Sequence, residues 1–320
     1  MYDYFMEEII FQKFILGTGE YLDDALNKGL GGVIFFTRDI QSEHQFKELI
    51  ENINNRSKIK PFLSIDQEGG RVERTENISK RRLSPKFAYT KGIDFLRNQS
   101  EEIAKQLSEL GINLNFSPCA DVNTNSNNPI IGERSFADNP DDVIKGIQVV
   151  SEAYRKYGII PCVKHFPGHG DADKDSHLTL PVIDLPIEKM ESIHIRPFKY
   201  AVEHGIEMIM AAHLHCTCFD KNTIPSSLSK NAIGYLRNNL NYNGVIISDD
   251  MVMKGVQDYG ALEACIMAIN AGVDMFIFRD ADESTYNLIL ELAKAAENNN
   301  ELKSKIIKSN KRIQRLKTKI

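Results

Sequence analysis

A chain of 320 residues, 42% of them hydrophobic, is long enough to bury one large core or two ordinary ones. A formal charge of -5 argues against the basic footprint of a nucleic-acid binder or of a protein held on an anionic membrane, and leaves a small molecule as the expected partner. Five cysteines, an odd number set mostly in apolar runs, argue against a disulfide framework and for buried thiols in a reducing compartment.

The N-terminus carries Asp3, Glu7 and Glu8 where a signal peptide needs a basic start and an apolar core. No apolar run approaches the roughly 20 residues of a membrane-spanning helix. The expectation is a soluble cytoplasmic protein with no membrane contact and no nucleic-acid partner, a monomer or weak oligomer.

In chain order, short apolar runs alternate with amphipathic stretches. Strands are expected at Phe14 to Gly17, Gly32 to Phe36, Pro61 to Ile65, Asn113 to Ser117, Ile160 to Lys164, Met208 to Ala212, Val245 to Ser248 and Met275 to Phe278. Between them, Ile103, Leu107 and Leu110 form one helical face that Gly111 stops. Asn139-Pro140 opens another helix, whose stripe is Val143, Ile147, Val150 and Tyr154. Further helices are expected around Ile193 to His204 and Asn231 to Leu240, and a basic one from Glu301 to Ile320 reads as a solvated face. Eight βα units without a linker or composition shift predict an α/β fold, a (β/α)8 TIM-type barrel forming a single domain over residues 1–320.

In such a barrel, chemistry gathers where strands end and the following loops begin. Asp66 follows the third strand, Asp121 and Arg134 the fourth; Lys164 and His165 end the fifth, His213 the sixth and Asp249 the seventh. Along the seventh strand Asp249 shares a face with Val245 and Ile247, Asp250 with Ile246 and Ser248. The period alone leaves open which set points inward.

Cys162 to His177 holds three of the eight histidines. Asp175 lies two residues before His177, close enough to stabilise a charged imidazole and fix its tautomer, as a general acid or base requires. Gly168 and Gly170 predict a relaxed loop able to move.

Lys164-His165-Phe166-Pro167-Gly168-His169-Gly170 followed by Asp175-Ser176-His177 resembles glycoside hydrolase family 3, in its single-domain bacterial β-N-acetylglucosaminidase branch. Asp66-Gln67-Glu68-Gly69-Gly70-Arg71-Val72-Glu73-Arg74, Gly132-Glu133-Arg134-Ser135-Phe136, Ala212-His213 and Ser248-Asp249-Asp250-Met251 resemble the same branch, in the family's order. The resemblance implies Asp249 as nucleophile and His177, partnered by Asp175, as acid/base. It also implies Asp66, Arg74, Arg134, Lys164 and His165 as substrate-holding residues, with Glu68 and Glu133 as scaffold and His213 near the site.

The reaction it implies is a two-step retaining hydrolysis of terminal N-acetyl-β-D-glucosamine from muropeptides in peptidoglycan recycling, without cofactor or metal. Alternatives on the same scaffold are a phosphorylase and a β-glycosidase for another sugar. A metal-dependent hydrolase built on some of His165, His169, His177, His213, His215 and Asp249 ranks behind these, and Cys216-Thr-Cys218 lacks the second cysteine pair of a zinc site.

Overall fold

β-Branched and aromatic runs too short for helices must find partners on both edges, and a closed parallel barrel supplies them. In the computed structural model, which describes residues 2–172 and 180–320, these runs form eight barrel strands. They are β1 (Phe14–Leu16), β2 (Gly32–Phe35), β3 (Phe62–Ile65), β4 (Leu114–Asn115), β5 (Ile160–Phe166), β6 (Met208–Ala211), β7 (Val245–Asp250) and β8 (Met275–Phe278). Every pairing is parallel, and β1 closes the ring between β8, where Ile15 faces Ile277, and β2, where it faces Gly32. All eight strands lie where the sequence predicts them, with ends differing by at most two residues.

The strands are apolar on both faces because both are covered. Ile15, Ile34, Phe62, Met208, Val245 and Ile247 fill the interior, while Phe14, Val33, Leu63, Ile209 and Ile246 join the larger core beneath the helices. The helix Pro140–Lys156 shows how the outer layer is specified. The Asn139 side chain accepts from the Asp142 N–H at 3.0 Å, Pro140 takes the first turn, and Val143, Ile147, Val150 and Tyr154 are buried.

Three elements depart from the sequence expectation. The acidic N-terminus forms a helix, Tyr2–Phe11, that buries Met6, Ile9, Ile10 and Phe11. The helix expected around Ile193 to His204 is Arg196–Glu203, preceded by a wider turn at Met190–His194 in which the Ile195 N–H reaches the Met190 carbonyl at 2.7 Å; Pro197 denies a continuous ladder there.

The basic terminal helix, Asn300–Lys317, is more than a solvated face. Its Ile313 and Leu316 join the interior cluster of the barrel. Arg312 pairs with buried Asp274 at 2.6 Å and Lys317 Nζ donates to the Lys60 carbonyl at 2.8 Å, so part of the charge run fastens the helix to the barrel. Among the described residues, no helix is long and apolar enough to cross a membrane.

Candidate active site

The strand-end residues meet at the C-terminal mouth of the barrel in two adjoining hollows of about 430 and 350 Å3. Asp66, Arg74, Met210 and Asp249 line both, so Asp249 sits at their junction. Asp66, Arg74, Arg134, His165 and Asp249 share the second hollow, with Arg71 and His169. Lys164 is buried, its ammonium against Asp66 and, at 2.6 Å, Glu68. Thus the residues expected to hold substrate do come together. Asp175 and His177 lie outside the described residues.

The fold settles which aspartate continues the inward row of β7. Val245 and Ile247 point into the barrel and Ile246 into the outer core. Alternation therefore sends Asp249 toward the mouth. Asp250 lines only the first hollow and pairs with Arg279 at 2.5 Å.

Electrostatics separate the two as well. Burial favours the neutral acid at Asp249, but the neighbouring His165 and His213 rings, the Asp250 N–H and the Lys164 ammonium outweigh it and hold the carboxyl below its ordinary value. At Asp250 burial dominates and pushes the carboxyl up, against the Val252 N–H and Arg279. Asp249 is the better anion at neutral pH.

Beneath the hollows runs a chain of alternating charge. Lys164 contacts Asp66 and Glu68; Glu68 receives Arg134 at 2.9 and 2.8 Å; Arg134 lies 3.3 Å from His165 Nε2; His165 Nδ1 lies 2.7 Å from Asp121. Burial opposes the charge on Lys164, yet Asp66 and Glu68 raise its pKa above the ordinary lysine value. Arg74 brings a guanidinium 5.9 Å from the Phe36 ring centre, and its buried Nε has no hydrogen-bond partner among the described residues. That leaves a donor free for a ligand.

His213 has a different task. Its Nε2 lies 3.2 Å from the Asp250 carbonyl, which only accepts, so that nitrogen carries the proton and Nδ1 accepts from the Ser227 hydroxyl at 2.7 Å. Burial lowers its pKa, consistent with a neutral ring. It anchors the backbone beside Asp249 rather than lining the hollows.

Sequence reasoning gave no role to several neighbours. Phe36, Arg38 and Arg279 line the first hollow, after β2 and β8, and the strand-end rule finds them once applied to every strand. Asp121 was placed at a strand end without a partner, because His165 is 44 residues away in sequence.

Ligand atoms of Cys119, Asp121 and His165 lie within 4.8 Å of one another, a spacing a metal ion can use. The hydrogen bonding fits a proton network better. Asp121 already accepts from the Cys119 thiol, the His169 N–H and the His165 ring, while burial, followed by the Asp121 charge, pushes the Cys119 thiol well above its usual value. His213 and His215 are also engaged, the latter through Nδ1 near the Ile224 carbonyl at 3.2 Å.

A parallel eight-stranded barrel with a charged cleft at the C-terminal ends of its strands has the architecture of an α/β-barrel enzyme. The chain belongs to glycosyl hydrolase family 3: residues 19–316 match the Glycosyl hydrolase family 3 N terminal domain. It is 33% identical to Beta-hexosaminidase A of Pseudoalteromonas piscicida over 91% of its length, and spans 54% of that protein. A Beta-hexosaminidase of Actinobacillus pleuropneumoniae serotype 5b (strain L20) is 34% identical over 81% of this chain and 77% of its own. Among solved structures, a glycoside hydrolase family 3 beta-N-acetylglucosaminidase from Paenibacillus sp. str. FPU-7 superposes with a TM-score of 0.92 at 28% identity, over 98% of this chain and 62% of the other.

Proposed function

We propose that the protein is a retaining, exo-acting β-N-acetylglucosaminidase that removes terminal N-acetyl-β-D-glucosamine from glycosides. The observation that carries this reading is the place of Asp249 at the junction of the two hollows, where Asp66, Arg74, Arg134 and His165, suited to sugar hydroxyls, line the second hollow with it. The barrel interior closes the first hollow with Phe116, Met210 and Ile277, a blind floor that suits a chain end. The similar proteins bear hexosaminidase and acetylglucosaminidase names.

In this mechanism the Asp249 carboxylate attacks the anomeric carbon while an acid protonates the departing glycosidic oxygen, giving a glycosyl-enzyme and a free alcohol. Water then adds to the anomeric carbon, losing its proton to the same group, and Asp249 is released. Among the described residues, the other carboxylates lining the hollows are Asp66, held by Lys164, and Asp250, held by Arg279. This supports a non-carboxylate acid/base, and His177 with Asp175 is the pair we assign from the family resemblance. Muropeptides of peptidoglycan recycling are the substrates we assign. Five free thiols, buried except for half-buried Cys218, fit a cytoplasmic location.

The test is release of nitrophenol from p-nitrophenyl N-acetyl-β-D-glucosaminide by the wild type and by Asp249→Ala, with phosphate and chelator varied. The reading expects turnover that survives chelation and falls by more than about a thousandfold in the variant. Phosphate-dependent turnover yielding a sugar 1-phosphate would make the enzyme a phosphorylase. Absence of wild-type turnover would refute the assignment to N-acetylglucosaminides.

A further inference from the structure

We propose that Asp121 is a positioning residue: it holds His165 as the Nδ1–H tautomer, so that Nε2 meets the substrate as a hydrogen-bond acceptor. The substrate half of this statement rests on the glycosidase reading above; the tautomer half does not.

Asp121 is fully buried. Its Oδ1 accepts the His169 N–H at 2.6 Å, and its Oδ2 lies 2.7 Å from His165 Nδ1 and 3.1 Å from the Cys119 thiol that donates to it. The His165 N–H points between the two oxygens at 3.4 and 3.3 Å. Every partner is a donor, as an ionised carboxylate requires. Burial disfavours that charge, but His165 and His169 hold the carboxyl below its ordinary value. A group that only accepts, set opposite Nδ1, demands a proton there.

The other ring nitrogen is constrained from the opposite side. His165 Nε2 lies 3.3 Å from an Arg134 terminal nitrogen, and a guanidinium has donors only. Arg134 cannot turn away without breaking both its bonds to Glu68. A ring protonated on both nitrogens would aim one N–H at another, so a lone pair on Nε2 is the arrangement that satisfies both neighbours. Aspartate and arginine fix the tautomer between them.

This changes how the hollow reads a sugar. Lys164 and Arg134 are donors; His165 joins Asp66 as an acceptor. A sugar hydroxyl that takes over the Nε2 lone pair from the long 3.3 Å Arg134 contact donates to His165 and accepts from the Arg134 N–H so freed, which discriminates against a hydrogen or an ether at that carbon.

Asparagine at position 121 cannot reproduce the arrangement. With its oxygen toward the His169 N–H, its NH2 faces Nδ1 and drives the proton to Nε2, against Arg134. Flipped, its NH2 opposes the His169 N–H.

The deciding experiment uses the full chain labelled with 15N-histidine, whose ring nitrogen shifts distinguish the tautomers; His165 is assigned by the resonances lost in His165→Gln. The wild type is expected to show a protonated Nδ1 and an unprotonated Nε2 at neutral pH. In Asp121→Asn this pattern shifts toward Nε2–H or an average of the two. An imidazolium, or Nε2–H in the wild type, overturns the proposal whatever the variant does.

The kinetic arm compares p-nitrophenyl N-acetyl-β-D-glucosaminide with its 3-, 4- and 6-deoxy analogues. One analogue is expected to lose about tenfold or more in kcat/KM with the wild type, and that penalty to shrink to within about threefold in Asp121→Asn and His165→Gln. An unchanged penalty in Asp121→Asn overturns the positioning role. If the wild type cleaves no glycoside, the proposed function fails while the NMR result still decides the tautomer.

Discussion

Arg134 meets Glu68 through two parallel hydrogen bonds, Nε to Oε2 at 2.9 Å and a terminal nitrogen to Oε1 at 2.8 Å, and Lys164 reaches the same Oε1 at 2.6 Å. One buried carboxylate thus fixes two of the cations assigned to substrate. Removing it leaves Arg134 buried without its carboxylate and Lys164 with Asp66 alone, which costs about 3–5 kcal/mol. Glu68→Ala is therefore expected to lower Tm by on the order of 10 °C, read by calorimetry. The acid limb carries a second readout. Burial disfavours the Glu68 carboxylate, but Arg134 and Lys164 hold its pKa far below the ordinary value. Its contribution is therefore complete above about pH 4.3 and is lost as pH falls toward the depressed native value. Below about pH 4, the wild type should lose stability more steeply than Glu68→Gln.

At the far end of the barrel, fully buried Lys13 donates to the Asp274 carbonyl at 2.8 Å, beside Arg312 and Arg237. Burial, together with the two arginines and against Asp274, lowers its pKa to about 7. An unfolded lysine keeps its proton to about pH 10.4, so between these values the unfolded chain binds more protons and folding stability rises with pH. The unfolding free energy of the wild type minus that of Lys13→Met should increase from pH 7 to 10, by on the order of 4 kcal/mol. Denaturant titrations at matched pH would read it; a flat difference would mean that Lys13 stays charged.

His213 offers a kinetic prediction. Its Nε2–H steadies the Asp250 carbonyl next to the nucleophile we assign, and Ser227 fixes its tautomer. His213→Phe keeps a flat ring but loses the donor. It is expected to lower kcat by roughly 10- to 100-fold with little change in KM, since a misplaced nucleophile harms the transition state more than binding. Ser227→Ala should have a smaller effect in the same direction, and a change confined to KM in either variant would place His213 in substrate binding instead.

Much of this was legible because strands and strand ends announce themselves. All eight barrel strands are short apolar runs, and the strand-end rule brings Asp66, Arg134, His165 and Asp249 to one mouth. What the chain could not show was pairing across sequence distance. Neither the 44 residues between Asp121 and His165 nor the 66 between Glu68 and Arg134 carry any local signal of contact. The choice between Asp249 and Asp250 likewise needed the barrel interior, because a period of two is symmetric between faces. The helix Tyr2–Phe11 was missed because its acidic first turns hide the buried Met6, Ile9 and Ile10 behind a polar composition. The terminal charge run misled for the opposite reason: cations that look solvated in sequence are partly spent on Asp274 and on barrel carbonyls.

Gly170 shows a different use of glycine from the freedom expected for it. A Cβ there would stand 1.8 Å from the Val122 carbonyl oxygen, closer than any side chain tolerates. The same two segments are tied by the Asn125 N–H to the Gly170 carbonyl at 3.2 Å and by the Asn128 amide to the His169 carbonyl at 2.8 Å. Glycine is needed at 170 for close backbone approach, where the chain leaves the hollow at His169. Gly170→Ala is expected to push the segments apart and lower kcat/KM by at least about a hundredfold, an effect of the size that misplacement near 1 Å produces. Gly158→Ala is the control: at φ +75° with nothing within 4 Å of its Cβ, it carries backbone strain alone and lies in the turn just before β5, away from the mouth. It should cost about 1 kcal/mol of stability and leave kcat/KM unchanged. Equal activity losses in the two variants would show that Gly170 acts through general stability rather than through the contact with Val122.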